Sequence, residues 1–203
     1  MNRRKGAEDF YFLNKLMLLG GFSELTQTTV MPSPRQSWRV PFGTGRAVGD
    51  ALAEGAVPLK VYAPEVFEEM AALTSNPRAL YEDEASALAT LPPTLSDYLK
   101  SQHFDARLSE IRKHTATPQA FVSRFFRWFD GFRALKFVRF ASERRYPRVP
   151  VDEAAFSLLG RMGLLPEPDA AAPDAAALLP HYRRMDREGQ GIAFSSVDAE
   201  MAS

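Results

Sequence analysis

Helical periodicity dominates the chain. Phe10, Leu13, Leu16 or Met17 and Leu18 recur at three- and four-residue spacings, which predicts an amphipathic helix over 7–19. Glu8 and Asp9 fall in its first turn, where the helix dipole favours negative charge, and Gly20-Gly21 ends it. The Thr-rich stretch 25–30 runs into Met31-Pro32 and predicts a short strand. Pro32, Pro34 and Pro41 hold 32–44 in loop, a short helix is predicted at 45–54, and an extended VPLKVY follows it. From Pro64 onward helices alternate with proline-marked turns. Pro64 opens EVFEEMAAL and Pro77 opens RALYEDEASALATL at the favoured first helical position. Further helices are predicted over 95–100, 106–113, 118–145, 152–162 and 178–187, with the low-complexity PEPDAAAPDAAALLP before the last. The fold class is therefore mainly α, with a short β element near the N-terminus followed by a helical domain. The domain reading is 1–62, a helical domain over 63–188 and a disordered tail at 189–203.

The segment 118–146 concentrates aromatic and basic residues. Read as one helix, it aligns Phe121, Phe125, Trp128, Phe129, Phe132 and Leu135 in a stripe, with Phe126, Phe137 and Phe140 beside it. Arg124, Arg127, Arg133, Lys136 and Arg139 are interleaved. One reading is a core helix with aromatics inside and cations outside. The other is a basic amphipathic helix making peripheral contact with an anionic membrane. Aromatics surround so much of the helix that protein must cover them, which favours the core.

Composition narrows the classes. Of 203 residues 45% are hydrophobic and 25% charged, as in a globular chain. No stretch approaches the length and apolarity of a membrane span, and no apolar signal core follows the basic start, so a cytoplasmic protein is expected. Cysteine is absent, which removes disulfides, thiolate metal sites and a Cys nucleophile. The 25 basic and 25 acidic side chains cancel, so no global field draws the chain to nucleic acid, and no nucleic-acid partner is expected. The balance hides blocks: seven basic against three acidic over 1–48, two against nine over 49–97, four against two over 98–116, eight against two over 117–148, and four against nine over 149–203. Blocks of opposite sign are expected to meet across the fold.

Standard catalytic motifs are missing. There is no glycine-rich phosphate loop, no His pair at helical spacing and no Ser in a nucleophile elbow. His103, His114 and His181 are far apart in sequence and read as surface or helix-end residues. The acidic triplet Glu82-Asp83-Glu84 reads as a solvated helix face, and no metal site is assigned. Two segments stand out: GAEDFYFLNKL, in which a Gly precedes two carboxylates that open a helix, and SPRQSWRVPFGTGRA, a loop with two Arg and a Trp.

Together these segments resemble the acceptor side of inverting family 2 glycosyltransferases with the GT-A fold. There a Gly-x-Glu-Asp segment leads into a helix of this pattern. In one branch a strand ending in Pro-Ser runs into Arg, Ser, Arg-Val and a Gly-Thr-Gly turn. The resemblance covers about residues 1–48 and implies roles for four residues. Asp9 matches the catalytic base, which takes the proton of the acceptor hydroxyl. Glu8 matches the neighbouring carboxylate, which binds the acceptor or orients the loop. Arg35 and Arg39 lie where a cationic loop would face a diphosphate leaving group, an inference from charge. Gln36-Ser37-Trp38-Arg39 has the residue types of the processive enzymes' Gln-x-x-Arg-Trp in another order, and that role is not carried over.

The departure from the family is equally informative. The Glu-Asp pair stands at positions 8 and 9, and no Asp-x-Asp occurs in the chain. The resemblance thus implies a C-terminal piece, with 1–62 the remnant of a glycosyltransferase catalytic domain. Such a piece is inactive alone and has the N-terminal donor-binding half as its partner. No cofactor is expected in this chain; a Mg or Mn ion would come only with the missing half. The alternative function is a non-enzymatic helical module that binds a partner protein or an anionic membrane surface.

Overall fold

The structure, a computed structural model, describes residues 8–16, 25, 28, 30, 31, 33, 35, 36, 43–54, 59–164 and 174–188. These residues form a mainly α protein. In chain order the elements are α1 (Glu8–Leu16), α2 (Thr44–Glu54), β1 (Lys60–Val61), α3 (Pro64–Thr74), α4 (Arg78–Glu82), α5 (Glu84–Ala89), α6 (Pro93–Ser101), α7 (Phe104–Lys113), α8 (Pro118–Trp128), α9 (Gly131–Arg144), β2 (Val149–Pro150), α10 (Val151–Arg161) and α11 (Ala175–Glu188). Two compact units emerge. Lys60–Pro150 with Ala7–Gly20 makes one, and Met1–Gly6, Gly21–Leu59 and Val151–Ser203 make the other.

Proline sets three helix starts in the larger unit. α3, α6 and α8 each carry Pro in the first turn, where the missing N–H would have had no helical partner. Two helices expected to be continuous are broken, each by an aspartate. Asp83 leaves helical geometry at φ −143° and accepts a hydrogen bond from the Ser86 N–H at 3.1 Å, so α4 ends and α5 begins. Hydrogen bonding from the Ser86 side chain, and then from its backbone N–H, holds the Asp83 carboxyl below its ordinary pKa. Asp130 likewise caps α9 by accepting from the Arg133 N–H at 3.0 Å, which splits the single 118–145 helix into α8 and α9. The split resets the aromatic stripe. Phe121, Phe125, Trp128 and Phe129 are buried, but Leu135 is exposed and Phe137, outside the expected stripe, is fully buried.

Of the strand expected over 25–30, Leu25, Thr28 and Val30 are described: none lies in a strand, and Leu25 and Val30 are exposed; the other positions lie outside the described residues. A strand holds only when its ladder is paired and an apolar face is covered. The ladder found among the described residues pairs β1 with β2, antiparallel, Lys60 opposite Pro150 and Val61 opposite Val149. Its β1 strand lies within the extended VPLKVY segment. Nearby, Arg148 stands 4.5 Å from the Tyr62 ring centroid and donates to the Tyr62 hydroxyl at 3.1 Å.

Aromatic rings build the core of the larger unit. Phe104 stacks on Trp128 at 4.8 Å, Phe125 on Phe129 at 5.9 Å, and Tyr98 meets Phe137 at 5.4 Å. Val66, Leu95, Leu108 and Phe121 fill the space between them. α1 docks on the start of α9, with Phe10 edge-on to Phe132 at 4.8 Å and Tyr11 at 4.7 Å. Gly131 permits this approach, because a Cβ there would lie 3.0 Å from Asn14 Oδ1. In the smaller unit α10 packs on α11, where Leu159 and Leu178 are buried and the Tyr182 hydroxyl donates to the Ala155 carbonyl at 2.6 Å.

One carboxylate joins three parts of the larger unit. Glu69, on α3, is 6% exposed. Its Oε2 accepts from the Leu95 N–H at 3.1 Å and its Oε1 from the Tyr146 hydroxyl at 2.6 Å. Pro92, the residue before α6, offers no capping side chain, so Glu69 satisfies an amide of that helix from outside. Removing it would leave a buried N–H and a phenol without partners. Glu69→Ala is expected to destabilise the protein by about 2–4 kcal/mol, read by urea unfolding, since hydrogen bonds to a charged group contribute about 1.5–3 kcal/mol each.

Two phenols of this unit define a response to alkali. Burial pushes the Tyr98 hydroxyl up to about 12, where it donates to the Arg133 carbonyl at 2.9 Å. The hydrogen bond to Glu69, then burial, raises Tyr146. A pKa raised on folding gives stability that is whole below the unfolded value of about 10 and is lost as the pH rises through the folded one. Urea stability should therefore hold to about pH 9 and fall between about pH 10 and 12. In Tyr98→Phe the alkaline slope should be shallower.

Candidate functional site

The sequence-derived site residues are divided between the units. α1 starts at Glu8, so Glu8 and Asp9 stand in the first turn of a helix of the larger unit; their side chains lie outside the described residues. Arg35 belongs to the smaller unit, is exposed, and its N–H donates to the Ser33 carbonyl at 2.9 Å. Arg39 lies outside the described residues. α1 uses Phe10 and Tyr11 to hold Phe132, while Phe12 remains 62% exposed and Leu13 and Leu16 are exposed too.

A second arrangement was not assembled from sequence. Arg107, Glu110, Ile111 and His114 of α7 and its end, Arg124, Arg127 and Trp128 of α8, and Arg133 of α9 line a cleft of about 330 Å³. The spacings explain the convergence. Residues 107, 111 and 114 share one face of α7, and 124, 127 and 128 share one face of α8. The connection over 114–117 returns α8 against α7, and Thr117 caps α8 by accepting from the Ala120 N–H at 3.2 Å.

The cations of the cleft differ in what already balances them. Arg107 pairs with Glu110 at 2.6 Å. Arg133 donates to the Trp128 carbonyl, lies 4.8 Å from the Trp128 ring centroid and stands 3.9 Å from Asp130. Among the described residues Arg124 and Arg127 have neither an ion-pair nor a hydrogen-bond partner. Among the described residues Arg112 pairs with Glu84 at 3.5 Å across two of the charge blocks, and it also donates to the Leu80 carbonyl at 2.6 Å. The other ion pairs described are three or four residues apart on the chain. The basic block over 117–148 thus keeps part of its charge unbalanced at the cleft.

Among the described residues no three His, Asp or Glu side chains cluster as a metal site, and no helix is long and apolar enough to cross a membrane. Comparison of the chain with family models, with curated proteins and with solved structures gives no match. Sequence reading had noted Arg124, Arg127 and Arg133 as interleaved cations. Their meeting with α7 was foreshadowed only by the matching three- and four-residue spacings and the short 114–117 turn.

Proposed function

We propose that this chain is the C-terminal, acceptor-side part of an inverting glycosyltransferase, acting in the cytoplasm and completed by a donor-binding half. The observation that carries the reading is the joint occurrence of GAEDFYFLNKL and SPRQSWRVPFGTGRA at their spacing. Two features support it. The Glu8-Asp9 pair opens α1, as the resemblance requires. Phe12, Leu13 and Leu16 leave an apolar surface on α1 for a further part of the catalytic domain to cover.

In this reading Asp9 accepts the proton of the acceptor hydroxyl while that oxygen attacks the anomeric carbon of the donor sugar. The bond from that carbon to the nucleoside diphosphate breaks, with inversion. Glu8 binds the acceptor. By charge alone, Arg35 and Arg39 are the cations assigned to the diphosphate, whose charge grows as it leaves. A divalent ion, Mg or Mn, is a property of the donor half, and no residue of this chain is assigned to it. A second reading, a non-enzymatic helical module that binds a partner protein or an anionic membrane surface, is favoured by the buried cluster and the β1–β2 closure within Lys60–Pro150.

The DNA directly upstream of the Met1 codon separates the two. A βαβ half ending in Asp-x-Asp, in frame or adjacent, is expected; its absence favours the binding module. The chain by itself is expected to show, in calorimetry with UDP- or GDP-sugars and Mn²⁺, no binding that depends on the sugar or the nucleoside, that is, none beyond what inorganic pyrophosphate alone gives. When the two halves are produced together, Asp9→Asn should lower transfer by about 10²–10⁴-fold with a nearly unchanged melting temperature, since Asn is isosteric with Asp and gives up only a charge–dipole interaction of about 0.3–1 kcal/mol in the first turn of α1. Near-normal turnover would remove Asp9 from the mechanism.

A further inference from the structure

We infer that the α7–α8–α9 cleft binds a phosphate or diphosphate group, a ligand independent of any role of α1 in glycosyl transfer. The argument begins with charge. Four Arg and one Glu line the cleft, and only Arg107 has its charge matched by a lining carboxylate. Arg124 and Arg127 stand three residues apart on one helix face, where like charges repel. No carboxylate described in the structure relieves that repulsion, whereas an anion between them would.

Geometry narrows the ligand. Arg133 is already held by the Trp128 carbonyl and ring, so one guanidinium is fixed before any ligand arrives. Guanidinium groups offer paired N–H donors that match phosphate oxygens, and several of them around one space favour a multiply charged anion over a carboxylate. The volume, about 330 Å³, stands at the lower end of the ~300–1,000 Å³ of small-molecule sites. That suits a phosphate or diphosphate with a small organic group. A stacked base is not the recognition mode, because Trp128 is 7% exposed and already covered by Phe104 and Arg133. A run of nucleic-acid phosphates would need an extended basic stripe, whereas these cations converge on one cleft.

The probe is inorganic pyrophosphate, titrated calorimetrically into the whole chain at low salt. Saturable binding is expected with a Kd below about 1 mM, weakening as NaCl is raised. Arg124→Gln/Arg127→Gln should reduce affinity at least about tenfold. Arg139→Gln, an exposed cation outside the cleft, should leave it unchanged. Neither Arg124 nor Arg127 holds a partner, so the double variant should keep its melting temperature. A second readout needs no cleft variant: in Trp38→Phe, the remaining Trp128 should change emission as pyrophosphate saturates. Absence of saturable binding, a silent Trp128, or equal weakening by Arg139→Gln overturns the proposal. Two sources of the group are separated with phosphatidylcholine vesicles containing phosphatidic acid. Co-sedimentation that pyrophosphate displaces identifies a lipid headgroup; pyrophosphate binding without co-sedimentation identifies a soluble phosphate.

Discussion

The larger unit depends on a carboxylate kept away from water. Glu69 is drawn inside because α6 begins with prolines and has no capping oxygen of its own, and because the Tyr146 phenol arrives from the far end of the sequence with a proton to donate. An ionised group in that position is tolerable only when it is hydrogen-bonded, so its two bonds must form together. The positions of α3, α6 and the segment after α9 are thereby set by one side chain. The aromatic layer of Tyr98, Phe137 and Phe140 then has fixed walls to pack against. Apolar contact supplies most of the driving force, but it is non-directional; the buried acid supplies the register.

The same packing turns the surface of α8 into a charged one. Phe121, Phe125 and Trp128 turn inward, which leaves Arg124 and Arg127 at the edge of that face, beside α7. What the sequence offers as an amphipathic, membrane-like pattern is resolved by folding into a dry interior and a cationic exterior. The apolar groups of this helix pair are largely consumed by the fold, so contact with an anionic surface there would be mainly electrostatic.

Much of the architecture was legible because its signals are local. Proline marked the starts of α3, α4 and α8, and apolar spacing marked α1, α7 and α10, whereas α6 begins at Pro93, two residues before the expected start. The breaks at Asp83 and Asp130 were harder to see. Asp-Glu within an acidic run and Asp-Gly within an aromatic one interrupt no hydrophobic pattern; only the capping bonds reveal them. The strand expected at 25–30 rested on Thr-rich composition, and at its described residues, Leu25, Thr28 and Val30, propensity without a partner makes no ladder. The site was legible in two different senses. Glu8 and Asp9 were found through a motif, which names a chemistry without arranging it. The cleft is the reverse case: an arrangement produced by helices distant in sequence, with no motif to announce it.

The pairing of β1 with β2 sets Lys60 beside Pro150, so the polypeptide leaves its helical excursion almost where it entered. An excursion of that kind has the topology of an insertion. It can be acquired, lengthened or lost at one point of a host chain without redirecting the segments on either side, provided its interior is complete. The aromatic core and the Glu69 bonds give Lys60–Pro150 such an interior. Its history can thus be separate from that of the residues that flank it, and homologues of the two parts need not be found in the same proteins.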